Sequence, residues 1–209
     1  MTDYTILSNT AVGVGGLPSG ATITALRDNP QAIAEGAAGA PLLHKVPLVI
    51  SQTVISSTVA TIEFFFDSTL YDEIIFSLGN VKNVDFGAVR VRLSGDGTSF
   101  SSGASDYRTL NHVDGTFSNT LSNFIATSVS VGSAGGEDGT SGYVRLFQPD
   151  LARKTMGEFK VSWTDTSAVY RWASGVFIRN SSIATNGVQF LSNGADFTSG
   201  TITMFGVLK

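Results

Sequence analysis

In the segment Gly87-Ala-Val-Arg-Val-Arg-Leu-Ser94, apolar Val89, Val91 and Leu93 alternate with Arg90 and Arg92. Successive side chains of an extended chain point to opposite faces, so this pattern is a strand with one buried and one solvated side. Glu158-Phe-Lys-Val-Ser-Trp-Thr164 repeats it, with Phe159, Val161 and Trp163 against Glu158, Lys160 and Ser162. Denser apolar runs at 46–55, 61–66 and 73–78 suit central strands, or strands covered on both faces. Further strands are expected at 121–131, 143–147, 168–172, 175–178, 188–191 and 201–208. Gly79-Asn80, Ser94-Gly-Asp-Gly97, Asp114-Gly115, Gly135-Gly136, Asp138-Gly139, Asn186-Gly187 and Asn193-Gly194 separate them with residues that tolerate positive φ. About ten strands at this spacing, with no helical period and no internal repeat, indicate an all-β, jelly-roll-like antiparallel β-sandwich over residues 46–209.

Composition narrows the function. Of 209 residues, 42% are hydrophobic but only 14% are charged, low against the usual quarter. The surface is therefore rich in Ser, Thr, Asn and Gly, or is covered by other subunits. The net charge of −4 and the absence of a Lys/Arg cluster argue against nucleic-acid binding. With no cysteine, disulfides and cysteine-based chemistry are excluded. No apolar run approaches the ~20 residues that span a bilayer, so no membrane insertion is expected. Met1-Thr-Asp-Tyr-Thr5 lacks the basic start and apolar run of a signal peptide, so synthesis in a cytoplasm without export is the expectation.

Residues 1–45 read as a short arm. Within it, Ala25-Leu-Arg-Asp-Asn-Pro-Gln-Ala-Ile-Ala-Glu-Gly-Ala-Ala-Gly-Ala-Pro41 carries the chain's one set of helix signals. Asn29 is a favoured N-cap, Pro30 suits the first helical position, and Gly36, Gly39 and Pro41 end the helix. A kinked helical segment is expected, bent at Asn29-Pro30. So short a helix needs a partner surface, which makes Leu26, Arg27, Asp28, Asn29, Pro30 and Ile33 candidates for docking to a larger particle.

This segment, with its lead-in Asn9-Thr-Ala-Val-Gly-Val-Gly15, resembles the N-terminal region of tail-fibre and minor structural proteins of tailed bacteriophages. Val91-Arg-Leu-Ser-Gly-Asp-Gly-Thr-Ser-Phe-Ser-Ser-Gly103, followed by Tyr107, is similar to a strand-and-turn signature in the C-terminal domains of phage fibre and spike proteins. Phe197-Thr-Ser-Gly-Thr-Ile-Thr-Met-Phe-Gly-Val-Leu208 is similar to their final strand. The resemblance implies a virion protein with the arm at the particle-proximal end and a jelly-roll module, usually a homotrimer. It also implies virion partners, tail or capsid, and a host-surface glycan as a further one.

Candidate chemistry is sparse, and no catalytic, cofactor or metal site is assigned. Glycoside hydrolysis needs two carboxyl groups roughly 5 to 9.5 Å apart; Glu137-Asp138 read as a polar loop and Asp72-Glu73 as a solvated edge. His44 lies in a connector, and His112 in a turn-like stretch without a Gly-x-Ser-x-Gly elbow. Asp96 and Asp106 read as turn residues, not calcium ligands. Trp163 reads as core, and Tyr170 with Trp172 as core or subunit interface. Tyr107 and Phe117, taken as exposed loop aromatics, are the surface-contact candidates.

The expectation is thus a non-enzymatic virion structural protein, a short tail fibre or receptor-binding knob. A capsid decoration protein, cement or head fibre, is the alternative, favoured by the short connector between Pro41 and the first strand. A carbohydrate-binding module or glycosidase ranks behind both.

Overall fold

The computed structural model describes residues 46–85, 87–114, 116–122, 125–128, 131–132, 138–193 and 195–209. The arm, its kinked helix, Leu26, Arg27, Asp28, Asn29, Pro30 and Ile33 lie outside the described residues, as do His44 and Glu137. The chain divides into two units, Met1–Val46 and Pro47–Lys209, and the second is built of strands.

These are β1 (Pro47–Ile55), β2 (Thr61–Phe65), β3 (Tyr71–Asn83), β4 (Val89–Ser94), β5 (Tyr107–Val113) and β6 (Thr116–Ser122). They are followed by β7 (Ile125–Ala126), β8 (Thr140–Phe147), β9 (Met156–Thr164), β10 (Tyr170–Arg179), β11 (Gly187–Ser192) and β12 (Phe197–Leu208). The strands form two antiparallel sheets. The larger has the order β1-β12-β3-β8-β9-β10-β5-β6 and the smaller β2-β11-β4-β7. The chain passes repeatedly from one sheet to the other, and hairpins β5–β6 and β8–β9–β10 remain within the larger.

The inner faces of the sheets meet in one core. Phe76 of β3 packs against Phe64 of β2 and Phe190 of β11, both at 5.3 Å between ring centroids; Phe64 and Phe190 stand edge-on at 6.1 Å. Val89, Val91 and Leu93 are fully buried, as their alternation requires, and Phe159, Val161 and Trp163 line the same core from β9.

Several expectations need correction. The apolar run at 46–55 forms an edge strand with Val49 and Val54 exposed, not a doubly covered one. The expected strand at 121–131 divides, since β6 ends at Ser122 and β7 is two residues long in the other sheet. Residues 170–172 and 175–178 belong to one continuous strand, β10, and residues 107–120, taken as loop, form most of the β5–β6 hairpin. Mixed polar composition (Tyr-Arg-Thr-Leu-Asn-His-Val, then Thr-Phe-Ser-Asn-Thr-Leu-Ser) hides these strands, because only part of one face is buried.

Phe76→Ala removes the ring that joins the two sheets and is expected to lower unfolding free energy by about 3–5 kcal/mol, read from urea denaturation. A loss below about 1 kcal/mol would mean that the sheets do not depend on this contact.

Candidate functional site

The outward face of the larger sheet carries the densest set of interaction-bearing side chains. Antiparallel register aligns them in rows across the strands. One row runs Gln52–Thr203–Ser77–Tyr143 across β1, β12, β3 and β8. It continues Lys160–Ser174–His112–Phe117 across β9, β10, β5 and β6. The next row holds Val49, Phe205, Ile75, Arg145, Glu158, Val176, Leu110 and Asn119. Neighbouring strands are about 4.8 Å apart, so the half-row from Tyr143 to Phe117 spans roughly 19 Å.

Two concavities of about 350 and 370 Å³ open along that half-row. One is lined by Leu110, His112, Phe117, Glu158, Ser174 and Val176 among others, the second by Ser141, Ser162, Tyr170 and Trp172; Tyr143 and Lys160 belong to both. The His112 ring lies 4.5 Å from Phe117 and 4.9 Å from Trp172, so three rings form a continuous patch. Phe117 is 75% exposed, Tyr170 68% and Trp172 38%. Gly142 forms part of the floor, at φ +139°; a Cβ there would lie 2.1 Å from the Lys160 carbonyl oxygen. Any side chain at that position would force β8 from β9 and disturb the groove.

The ends of the hairpins are tied together by charge. Asp165 accepts hydrogen bonds from the Ser167 and Val169 amides at 2.8 and 3.0 Å, holding the β9–β10 turn. Its other oxygen receives Arg171 Nε at 2.7 Å, while Arg171 Nη1 reaches Asp114 at 3.0 Å in the β5–β6 turn. Asp114 in turn accepts the Trp172 amide at 3.3 Å. This chain fixes Trp172 beside His112. The turn amides, led by Val169, and then Arg171 hold the Asp165 carboxyl below its ordinary range.

Beside the groove Arg145 donates to Glu73 at 2.5 Å and more weakly to Glu158, which lines it, at 3.5 Å. Burial, and then the Glu158 charge, push the Tyr143 phenol upward, so it stays a neutral hydroxyl. The groove therefore combines ring faces, hydroxyls, one amino group and the Glu158 carboxylate, a set suited to a ligand with both apolar faces and hydroxyl edges. Among the described residues no group of three or more His, Cys, Asp or Glu could hold a metal ion, and no helix is long and apolar enough to cross a membrane.

No protein-family model matches this chain, and no curated protein matches it either.

Of the two surface candidates, Phe117 lies on the patch. Tyr107 is corrected: it is fully buried, and its hydroxyl accepts from the Leu93 amide at 2.7 Å and donates to the Ser101 carbonyl at 3.2 Å. Its position at the start of a strand facing the core, not a loop, accounts for this. Tyr170 and Trp172 are not core but stand on the outward face, and His112 sits in a strand and not in a turn. Glu73 is no solvated edge; it lies in central β3 and is paired with Arg145. Asp96 is a turn residue, accepting from the Thr98 and Ser99 amides at 2.8 and 2.7 Å, and Asp106 accepts from the Gly103 amide at 2.6 Å. Tyr143, Lys160 and Ser174 escaped sequence reading as a site. Period-two alternation puts Lys160 on the solvent face, but only strand pairing shows what lies beside it.

Because the folded-state pKa of Asp165 is depressed, its stabilising contribution is present above the ordinary value of 3.8 and is lost as pH falls below it. The wild-type advantage in Tm over Asp165→Asn is expected to be greatest near neutral pH and to shrink as pH drops through 3.8. A gap that stays constant in thermal unfolding across that range would contradict the assignment.

Proposed function

We propose that this chain is a non-enzymatic structural protein of a tailed-phage virion, a short tail fibre or receptor-binding knob whose body binds a host-surface saccharide. The observation that carries this reading is the aromatic groove on the outward face of the larger sheet. Sugar rings present apolar faces and hydroxyl edges, and the patch of Trp172, His112 and Phe117 beside Tyr143, Ser162 and Ser174 offers partners for both. Glu158, the carboxylate that lines the groove, is engaged by Arg145, which also binds Glu73. That arrangement favours binding over hydrolysis, because glycosidase carboxyls flank the scissile bond.

The strand order supports the jelly-roll form of the sandwich. Pairings β1–β12, β2–β11, β3–β8 and β4–β7 are nested, as a folded-over double ribbon requires. Hairpins β5–β6 and β9–β10 are additions to that plan, and they widen one sheet and build the groove.

The β1 end of the same face favours a protein partner. Val49 and Val54 are 64% and 65% exposed on an edge strand, a surface suited to sister subunits in a homotrimer. The same feature suits the second reading, a capsid decoration protein. Gold-labelled antibody on intact virions separates the two: tail-tip label supports the fibre and label over the head supports decoration.

Trp172→Ala is expected to weaken binding to host-surface polysaccharide about ten-fold or more, the range for truncating an aromatic anchor, while leaving Tm nearly unchanged. Unaltered binding in a titration against the purified polysaccharide would remove the groove from the function. Leu26→Asp or Ile33→Asp in the arm is expected to reduce incorporation into particles, measured by immunoblot of purified virions; undiminished incorporation would end the docking proposal.

A further inference from the structure

Two connections cross between the sheets close together, from β3 to β4 and from β11 to β12. Buried polar groups without hydrogen-bond partners stand where they meet. Asn83, the last residue of β3, is 2% exposed, and neither its Nδ2 nor its Oδ1 has a partner. Ser192, the last residue of β11, holds its hydroxyl buried and unpartnered as well. Native interiors rarely leave such groups unpaired, because each has given up its bonds to solvent.

Gly87, just ahead of β4, shows that these groups converge. A Cβ on Gly87 would stand 2.7 Å from Ser192 Oγ, 2.9 Å from Asn83 Nδ2 and 3.3 Å from the Asn193 carbonyl oxygen. The two side chains therefore reach one small region beside the Gly87 backbone, yet they do not bond to each other. We infer that an internal water molecule binds here, bridging Asn83 to Ser192 and fastening the two connections to each other. The Asn83 amide brings a donor, the Ser192 hydroxyl donates or accepts, and the Asn193 carbonyl accepts. Water does both, and internal waters make about three such bonds. None of the three groups is charged, so the set offers an ion nothing to neutralise it. Backbone bonds tie the same two connections, from the Val84 amide to the Asp196 carbonyl at 2.7 Å and from the Asn193 amide to the Ala88 carbonyl at 3.1 Å. The water adds a side-chain bridge between the ends of β3 and β11, which belong to different sheets.

The test is a crystal structure of the full chain at a resolution that shows ordered water, with thermal unfolding of Ser192→Ala beside it. Solvent density is expected within hydrogen-bond distance of both Asn83 and Ser192. Ser192→Ala takes one partner from the bound water and is expected to lower Tm by about 2–4 °C. A hydroxyl that had no water would respond with the opposite sign, since deleting an unpaired buried group is neutral or stabilising. Gly87→Ala puts a methyl group against both polar atoms and is expected to abolish the density. A direct bond between Asn83 and Ser192, with no density between them, would overturn the inference. So would a Tm for Ser192→Ala equal to or above that of the unaltered chain.

Discussion

The structure depends on the contact between two inner sheet faces, centred on Phe64, Phe76 and Phe190. With only 14% charged residues and no disulfide, burial of alternating apolar side chains is the main force holding the sheets together. Once Phe76 in β3 meets the two rings of the smaller sheet, the register of β3 is set. A one-residue slip would turn Ile74, Phe76 and Leu78 outward and Ile75 and Ser77 inward. Every row on the outward face inherits that register through successive strand pairs.

The groove is a consequence of making the larger sheet wider than its partner. Four strands of the smaller sheet can cover only part of eight. Strands β9, β10 and the first part of β5 still bury one side, through Phe159, Val161, Trp163, Ala173, Phe177, Tyr107 and Thr109. Their other side carries rings, hydroxyls and Lys160. The hairpin ends are held by Asp165, Arg171 and Asp114 instead of by core packing. A contact face built this way rests on a hydrogen-bonded sheet, and its rings are placed by strand geometry rather than by loop conformation.

The regular strands were legible from the residues. Alternation located β4 and β9 and the buried side of each, and apolar runs located β1, β2, β3, β11 and β12. The β5–β6 hairpin was not legible, because Arg108, Leu110, Asn111 and His112 follow no clean period-two hydrophobic pattern. Tyr107 shows the same limit. Its neighbours in sequence are polar and turn-forming, yet its ring fills the core beneath Leu93 and its hydroxyl serves that strand's backbone. A polar neighbourhood in sequence says little about the side on which a single aromatic faces.

What the sequence by itself determined is the all-β class, the one-sided burial of its best strands and the low-charge, cysteine-free surface. These follow from local periodicity and composition. Only the tertiary structure decided that Tyr143, Lys160, Ser174, His112 and Phe117 stand in one row, although up to 62 positions separate neighbours in it. Strand order is set by which apolar faces can share one core, a condition on the whole chain at once. No short stretch of sequence encodes its neighbour across the sheet.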